Sequence, residues 1–230
     1  MMKTLQLFIL IITLTQFNAS AQDFSNKGKD FWLCFPSHVP NVRSGTVYYA
    51  KMSLFITSDK NSSGTVSIST VFNTNFSVTA GQVTEIDIPY SNAHILSSEA
   101  GNVIKKGIHV KVDASKPGVV VYAQIYAGFR SAASLILPTN VLGKKYYSMN
   151  APQKSISDSK SQFVVMAVDS NTTVQIIPMR DGVKGMPFSI ALPLPGDVYE
   201  LQDDNDLTGS SIESICVASG ISEGALILSS

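Results

Sequence analysis

The feature that most constrains the fold is a strand–turn–strand pattern that occurs twice in the chain. Phe55 and Thr65 in the first copy match Phe163 and Thr173 in the second, so both pairs are 108 residues apart. In the first copy apolar and polar positions alternate with the period of two that is typical of half-buried strands. The duplication therefore predicts two related β-modules side by side rather than a solenoid of short repeats.

The alignment continues through three further pairs of segments. They are residues 76–78 with 188–190, residues 83–86 with 198–201, and residues 108–110 with 212–214. The apolar segment 119–126 is predicted to be a central strand that is buried on both faces, and no counterpart to it follows residue 214. The predicted fold class is therefore all-β, with two tandem, related antiparallel β-sandwich-like modules, of which the second is incomplete.

Local signals set the expected boundaries. Lys3, an apolar run after it and the Ala19-Ser20-Ala21 cleavage site predict a signal peptide over residues 1–21. Residues 22–27 are then a lead-in, residues 28–150 the first β-module and residues 151–230 the second, truncated β-module. Residues 92–102 are the one weakly helical stretch. Gly64 is expected to close the turn before the second strand with a positive φ.

Composition argues against some classes of partner. The net charge is zero by formula and charged residues make up 15% of the chain, which gives no electrostatic reason to expect nucleic acid or an anionic membrane. No apolar run after the signal peptide is long enough to cross a bilayer. We therefore expect a secreted or cell-surface protein with no membrane span after signal cleavage.

The sequence contains no pattern that indicates an active site. There is no nucleophile elbow, phosphate-binding loop or dinucleotide fingerprint. A glycosidase would need two carboxylates facing each other across a cleft. The nearest candidates, all expected on solvent faces, are Glu85, Asp87, Asp197 and Glu200. We predict no catalytic residues, and a carbohydrate-active enzyme or its accessory domain remains the alternative.

Metal and disulfide sites are not indicated either. His38, His94 and His109 lie at no metal-ligand spacing. The acidic cluster 203–206 fails as an EF-hand loop because Ile215 stands where a Glu is required, which leaves only an irregular calcium site open. Cys34 lies in an apolar strand, where a buried free thiol is common, so its pairing with Cys216 is not favoured. We predict no metal and no cofactor.

Two sets of residues suggest surface recognition. Aromatic side chains could form a recognition surface, although their alternation is more typical of sheet packing. They are Trp32, Phe35, Tyr48, Tyr49, Tyr146 and Tyr147. Asn61, Asn75 and Asn171 begin N-glycosylation acceptor sequences, and two of them lie in the repeated turn, where Asn also suits the turn geometry.

Short motifs resemble the IgGFc-binding protein N-terminal domain family, and the resemblance covers most of residues 28 to 214. Residues 28–36 read Gly-Lys-Asp-Phe-Trp-Leu-Cys-Phe-Pro, which is similar to the opening of that family. The strand around Leu54, the Gly64-Thr65-Val66 step, and the segments 107–110 and 116–122 follow its pattern. Residues 133–138, Ala-Ser-Leu-Ile-Leu-Pro, resemble the family segment that precedes a second module.

The resemblance implies a non-enzymatic extracellular binding or adhesion module, in a family that includes many secreted bacterial surface proteins. It supplies no binding residues and does not imply that this chain binds IgG. We expect a bacterial secreted or surface protein whose partner is an extracellular protein or glycoprotein. The alternatives are the carbohydrate-active enzyme named above and a structural spacer of a larger envelope protein.

Overall fold

The computed structural model describes residues 25–38, 41–128, 130–151, 159–216 and 225–229, with the side chains of 41–43, 130, 216 and 225–229 excepted. The predicted signal peptide lies outside these residues and stays a prediction. The described chain is almost wholly β-structure, which confirms the predicted all-β class. Its helical segments are short: α1 (Tyr90–Ala93) and the 3-10 turns Ser97–Glu99 and Thr139–Val141. The weakly helical stretch 92–102 thus overlaps one α-turn and one 3-10 turn.

The first β-unit is a sandwich of two four-stranded antiparallel sheets. The strands up to residue 136 are β1 (Asp30–Leu33), β2 (Asn41–Arg43), β3 (Thr46–Tyr48), β4 (Lys51–Thr57), β5 (Ser62–Ile68), β6 (Phe72–Val78), β7 (Val83–Ile88), β8 (Val103–Ile104), β9 (Ile108–Val112), β10 (Val120–Ala127) and β11 (Arg130–Ile136). The sheet orders are β1-β9-β5-β6 and β11-β10-β4-β7, while β2 and β3 form a separate hairpin.

The second β-unit repeats this arrangement. Its strands are β12 (Lys145–Tyr147), β13 (Ser161–Ala167), β14 (Thr172–Ile177), β15 (Met179–Arg180), β16 (Val183–Lys184), β17 (Phe188–Leu192), β18 (Val198–Asp203), β19 (Ser211–Cys216) and β20 (Ala225–Ser229). The sheet orders are β12-β19-β14-β17 and β20-β13-β18-β8. Because β14, β19, β17 and β12 occupy the places of β5, β9, β6 and β1, the predicted duplication is present in the topology.

The register of the repeat agrees with the alignment at β5 and β14 but slips by one residue at β4 and β13. Val66 and Val174, 108 residues apart, are both fully buried. Phe163 also lies in the core of its unit, whereas Phe55 is on the outer face of β4 and its neighbour Leu54 points inward. A one-residue slip moves every side chain to the opposite face of a strand. The match of Phe55 with Phe163 is therefore wrong, and Leu54 is the counterpart of Phe163.

The ladders also test the three extended alignments. Thr65 pairs with Lys111 and Thr173 with Ile215, which confirms the predicted match of 108–110 with 212–214. Ile56 pairs with Thr84 and Val165 with Tyr199, in agreement with the match of 83–86 with 198–201.

The third alignment, that of residues 76–78 with 188–190, is wrong by four residues. Gly64 lies opposite Phe76 and Thr172 opposite Leu192, so the buried Leu192 is the counterpart of the buried Phe76. The reason is the β15–β16 hairpin, which lies between β14 and β17 and has no equivalent between β5 and β6.

Two expectations about central strands need correction. β20 pairs with β13 as β10 pairs with β4, so a counterpart to segment 119–126 exists after residue 214. β10 itself is buried on one face only, because Tyr122 and Tyr126 are exposed. β13 is buried on both faces: Phe163, Val165 and Ala167 enter the core of the second unit, while Val164 and Met166 enter that of the first.

Gly64 does not close a turn. It lies inside β5, and its φ is not among the positive values of the described chain. A Cβ at this position would lie 2.2 Å from the carbonyl oxygen of Lys111 and 2.8 Å from the ring of Phe76. The glycine is therefore required by the close approach of neighbouring strands and not by backbone handedness.

The two β-units are interlocked in the described residues. β8 pairs with β18, and β12, which precedes residue 150, pairs with β19. At the junction the amide of Gly107 donates to the carbonyl of Gly196 over 3.1 Å. Because Met166 and Val198 also belong to the first core, that core extends across this junction.

Candidate functional site

Glu85 and Asp87 are the only two of the four predicted carboxylates that lie together on an exposed surface. The Ser53 hydroxyl lies 3.0 Å from a carboxylate oxygen of each and can donate to either, and Lys51 pairs with them at 2.9 and 3.2 Å. Hydrogen bonding to the Lys51 ammonium holds the pKa of both carboxyls below the usual range. A glycosidase acid requires a raised pKa. These residues therefore form an ion-pair network on one sheet face and not an acid–base pair across a cleft.

The prediction that Asp197 and Glu200 lie on solvent faces is wrong, since both are buried. Asp197 accepts a hydrogen bond from the amide of Leu194 at 2.8 Å and so closes the turn before β18. Glu200 accepts one from the amide of Ser37 at 2.8 Å and another from Gln202 at 3.0 Å. Burial raises the pKa of Glu200, as expected for a carboxyl held away from water. Both carboxyls thus serve internal contacts.

His94, His109 and Cys34 each pack in a different part of the structure. His94 is buried and stacks on Tyr90 with ring centroids 4.3 Å apart, and burial lowers its pKa to about 4. His109 stacks on Trp32. Cys34 is a free, buried thiol, and burial raises its pKa strongly. A thiol that burial holds neutral is a packing group and not a nucleophile.

The acidic cluster 203–206 is a turn whose side chains are already engaged. Arg180 pairs with Asp203, Lys160 pairs with Asp204, and Asp206 accepts a hydrogen bond from the Thr208 hydroxyl at 2.7 Å. Across the described part of the chain, no group of three or more His, Cys, Asp or Glu side chains could hold a metal ion.

The predicted aromatic set does not form one surface. Phe35 is buried, Trp32 is half-buried at the junction, and the half-buried Tyr146 accepts a hydrogen bond from the amide of Gly143 at 2.6 Å. Tyr48, Tyr49 and Tyr147 are exposed, but they belong to the hairpin region of the first unit and to β12 of the second.

A different group of residues forms a largely apolar, partly exposed surface on three neighbouring strands. The cross-strand row Leu135–Tyr122–Phe55 runs across β11, β10 and β4, and Tyr126 lies further along β10 on the same face. Tyr122 is 42% exposed, Tyr126 51% and Leu135 37%. The Lys51–Glu85–Asp87 network borders this row, because Glu85 is the partner of Phe55. We call Phe55, Tyr122, Tyr126 and Leu135 the aromatic face.

The sequence contains a signal for the aromatic face, although segment 119–126 is predicted from it to be buried on both faces. Tyr122, Gln124 and Tyr126 are spaced two residues apart, whereas the adjacent positions Val121 and Ala123 are buried. Such a period of two indicates one solvated face. The apolar character of tyrosine hid the alternation.

The three glycosylation acceptors are all at exposed positions. Asn171 adopts a φ of 57°, and the side-chain oxygen of Asn61 accepts a hydrogen bond from the amide of Ala80 at 2.8 Å. Asn therefore has a structural role in both repeated turns. None of the helices in the described residues has the length and apolarity needed to span a bilayer.

Comparison with known proteins gives one match. The model of a family described as IgGFc binding protein matches residues 132–225, from β11 to the first residue of β20. Neither the curated proteins nor the solved structures give a match. The matched family is, by its description, a binding family. The family resemblance predicted from short motifs is thus confirmed by residues 132–225, which match the IgGFc-binding protein family.

Proposed function

We propose that the protein is exported and acts as an extracellular, non-enzymatic binding or adhesion protein that recognises another protein or glycoprotein. The single observation that carries this proposal is the aromatic face. The predicted signal peptide and the family match support it independently. The division into modules at residues 28–150 and 151–230 is part of the proposal, with β8 and β12 as the strands that join them.

The aromatic face has the composition of a recognition surface. Tyrosine supplies a large contact area with few rotatable bonds, and it is enriched at interfaces. The Lys51–Glu85–Asp87 network at its border corresponds to the polar rim that surrounds the apolar centre of many interfaces. Tyr122 and Tyr126 project away from the core, which the inward-facing Val121 and Ala123 fill. Substitution of Tyr122 or Tyr126 should therefore weaken binding of a partner without unfolding the protein.

The carbohydrate-active enzyme has less support. The only exposed carboxylate pair among the predicted candidates is ion-paired with Lys51, and the pKa values of both carboxyls are lowered. Neither carboxyl is therefore suited to donate a proton near neutral pH.

The test is retention of the exported, purified full chain on an immobilised panel of IgG Fc, mucins, matrix glycoproteins and free glycans. Wild type is compared with Tyr122→Ser and with the control Tyr147→Ser, an equally simple change at a side chain that is 67% exposed on β12. We expect Tyr122→Ser to weaken retention about tenfold or more, as for a residue at the centre of an interface. Tyr147→Ser should bind as wild type does.

Deglycosylation of the retained partner then separates a protein epitope, which survives the treatment, from a glycan epitope, which does not. Thermal unfolding of each variant shows that it is folded. Equal retention of both variants would refute the role of the aromatic face. No retention of a folded wild-type chain would favour the structural spacer.

A further inference from the structure

A small groove lies at the junction of the two β-units, on the opposite sheet of the first unit from the aromatic face. Its volume is about 180 Å³. One wall is the outer face of β1, β9 and β5, and the other is the turn at residues 194–197 of the second unit. The side chains that carry the argument are Trp32, His109, Ser67, Ser69 and Lys105. We call this the junction groove.

An aromatic pair forms the base of one wall. Trp32 and His109 are cross-strand partners, and their rings stack with centroids 4.1 Å apart and an interplanar angle of 4°. The imidazole Nε2 lies 3.2 Å from a carboxylate oxygen of Asp30, which fixes the ring. Ser67 is the next residue in the same cross-strand row. The stacked aromatic pair therefore lies directly beside a hydroxyl group.

The opposite wall is held rigidly against this pair. Gly196 has a φ of 82°, and a Cβ on it would lie 2.7 Å from Cζ3 of Trp32. The Gly107–Gly196 hydrogen bond and the closure of the turn by Asp197 fix the position of that wall. A preformed site of this kind loses little conformational entropy when a ligand binds.

Lys105 supplies a cation at the rim. It is exposed and has no carboxylate partner in the described residues, whereas the adjacent Lys106 pairs with Glu99 at 2.6 Å. The nearby carboxylates are engaged elsewhere, Asp30 with His109 and Asp197 with the amide of Leu194. The ammonium of Lys105 is therefore available to an anionic group of a ligand.

We propose that the junction groove binds one carboxylated sugar residue of a glycan. The volume is below the roughly 300–1,000 Å³ of sites for drug-sized ligands, which suits a single ring. The apolar face of a pyranose would pack on the aromatic pair, its hydroxyls would exchange hydrogen bonds with Ser67 and Ser69, and its carboxylate would pair with Lys105. This site is separate from the aromatic face and does not depend on the function proposed above.

The chain offers a direct reporter for the test, because Trp32 is its only tryptophan. The exported, purified full chain is titrated with glucuronic acid, with N-acetylneuraminic acid and with neutral glucose, and tryptophan emission and calorimetric heat are recorded together. We expect saturable binding of at least one acidic sugar and weaker binding of glucose. The two acidic arms distinguish a uronate from a sialic acid.

Lys105→Gln removes the cation from an exposed position, and Lys116→Gln is the matched control at an exposed turn outside the groove. We expect the first variant to bind the acidic sugar about tenfold more weakly and the second to bind it as wild type does. The proposal is overturned by unchanged binding in Lys105→Gln, by equal binding of acidic and neutral sugars, or by the absence of both signals in every titration.

Discussion

The junction of the two β-units makes Gly196→Ala an informative perturbation, since two separate costs can be assigned to the added methyl group. A non-glycine residue at a φ of 82° is destabilising by roughly 1–2 kcal/mol. The Cβ would also lie 2.7 Å from Cζ3 and 3.3 Å from Cη2 of Trp32, so the indole has to move. Displacement of a packed side chain typically costs about 1–3 kcal/mol. We therefore expect a total loss of about 2–5 kcal/mol.

Gly101→Ala is the matched control. Gly101 has a φ of 80°, nearly the same as Gly196, but no atom lies within 4 Å of the position that its Cβ would take. This variant should lose only the roughly 1–2 kcal/mol of backbone strain. The difference between the two variants isolates the contact with Trp32.

Urea unfolding followed by far-UV circular dichroism measures both losses, and an unchanged m value shows that the unfolding transition is comparable. Emission of the single tryptophan in the native state reports the displacement of the indole. We expect a shifted emission in Gly196→Ala alone. Equal destabilisation of the two variants, with wild-type emission in both, would contradict the packing at the junction.

Two further predictions concern the cores. Phe163→Ala should destabilise the protein by about 3–5 kcal/mol because Phe163 is fully buried. Phe55→Ala, at the position that the sequence repeat equates with Phe163, should cost far less because Phe55 lies on the outer face of β4. Similar losses of the two variants in urea unfolding would contradict the register. Burial lowers the pKa of His94 from 6.5 to about 4, so its neutral form contributes stability that is present above pH 6.5 and is lost as pH falls toward 4, by up to about 3 kcal/mol. His94→Phe keeps the stack on Tyr90 and should flatten this part of the pH–stability profile, and an unchanged profile would show that other groups cause it.

The sequence was sufficient to predict the strands wherever the alternation of apolar and polar residues matches the buried and exposed faces. Alternation in the first strand–turn–strand copy identified strands and their faces, and the repeat identified a second copy with the same order of strands. Prediction from the sequence failed where an insertion or a one-residue slip changes the strand register but not the type of residue. This happened in the matches made for Phe55 and for residues 76–78. A period of two cannot reveal such shifts, because each face is defined only relative to the partner strand.

The roles of several polar residues and of one glycine could be read only from the tertiary structure. Charged side chains such as those of Asp197 and Glu200 are usually exposed, yet both are buried here. Asp197 closes a turn, and Glu200 accepts a hydrogen bond from the amide of Ser37, 163 residues earlier in the chain. Gly64 resembles a turn residue in the sequence. In the structure a glycine is required there because Lys111 and Phe76 of the neighbouring strands leave no space for a Cβ atom. These contacts are long-range, and no local pattern encodes which distant group a buried polar side chain will meet.

The sequence by itself determined that this chain forms two related β-units with no local catalytic motif, because period, turn chemistry and duplication are properties of short segments. Only the tertiary structure decided which residues meet. Pairing of β4, β10 and β11 brings Phe55, Tyr122 and Leu135 into one row, and packing of the second unit on the first places Gly196 against Trp32. The candidate binding surfaces arise from these contacts between segments that are distant in sequence.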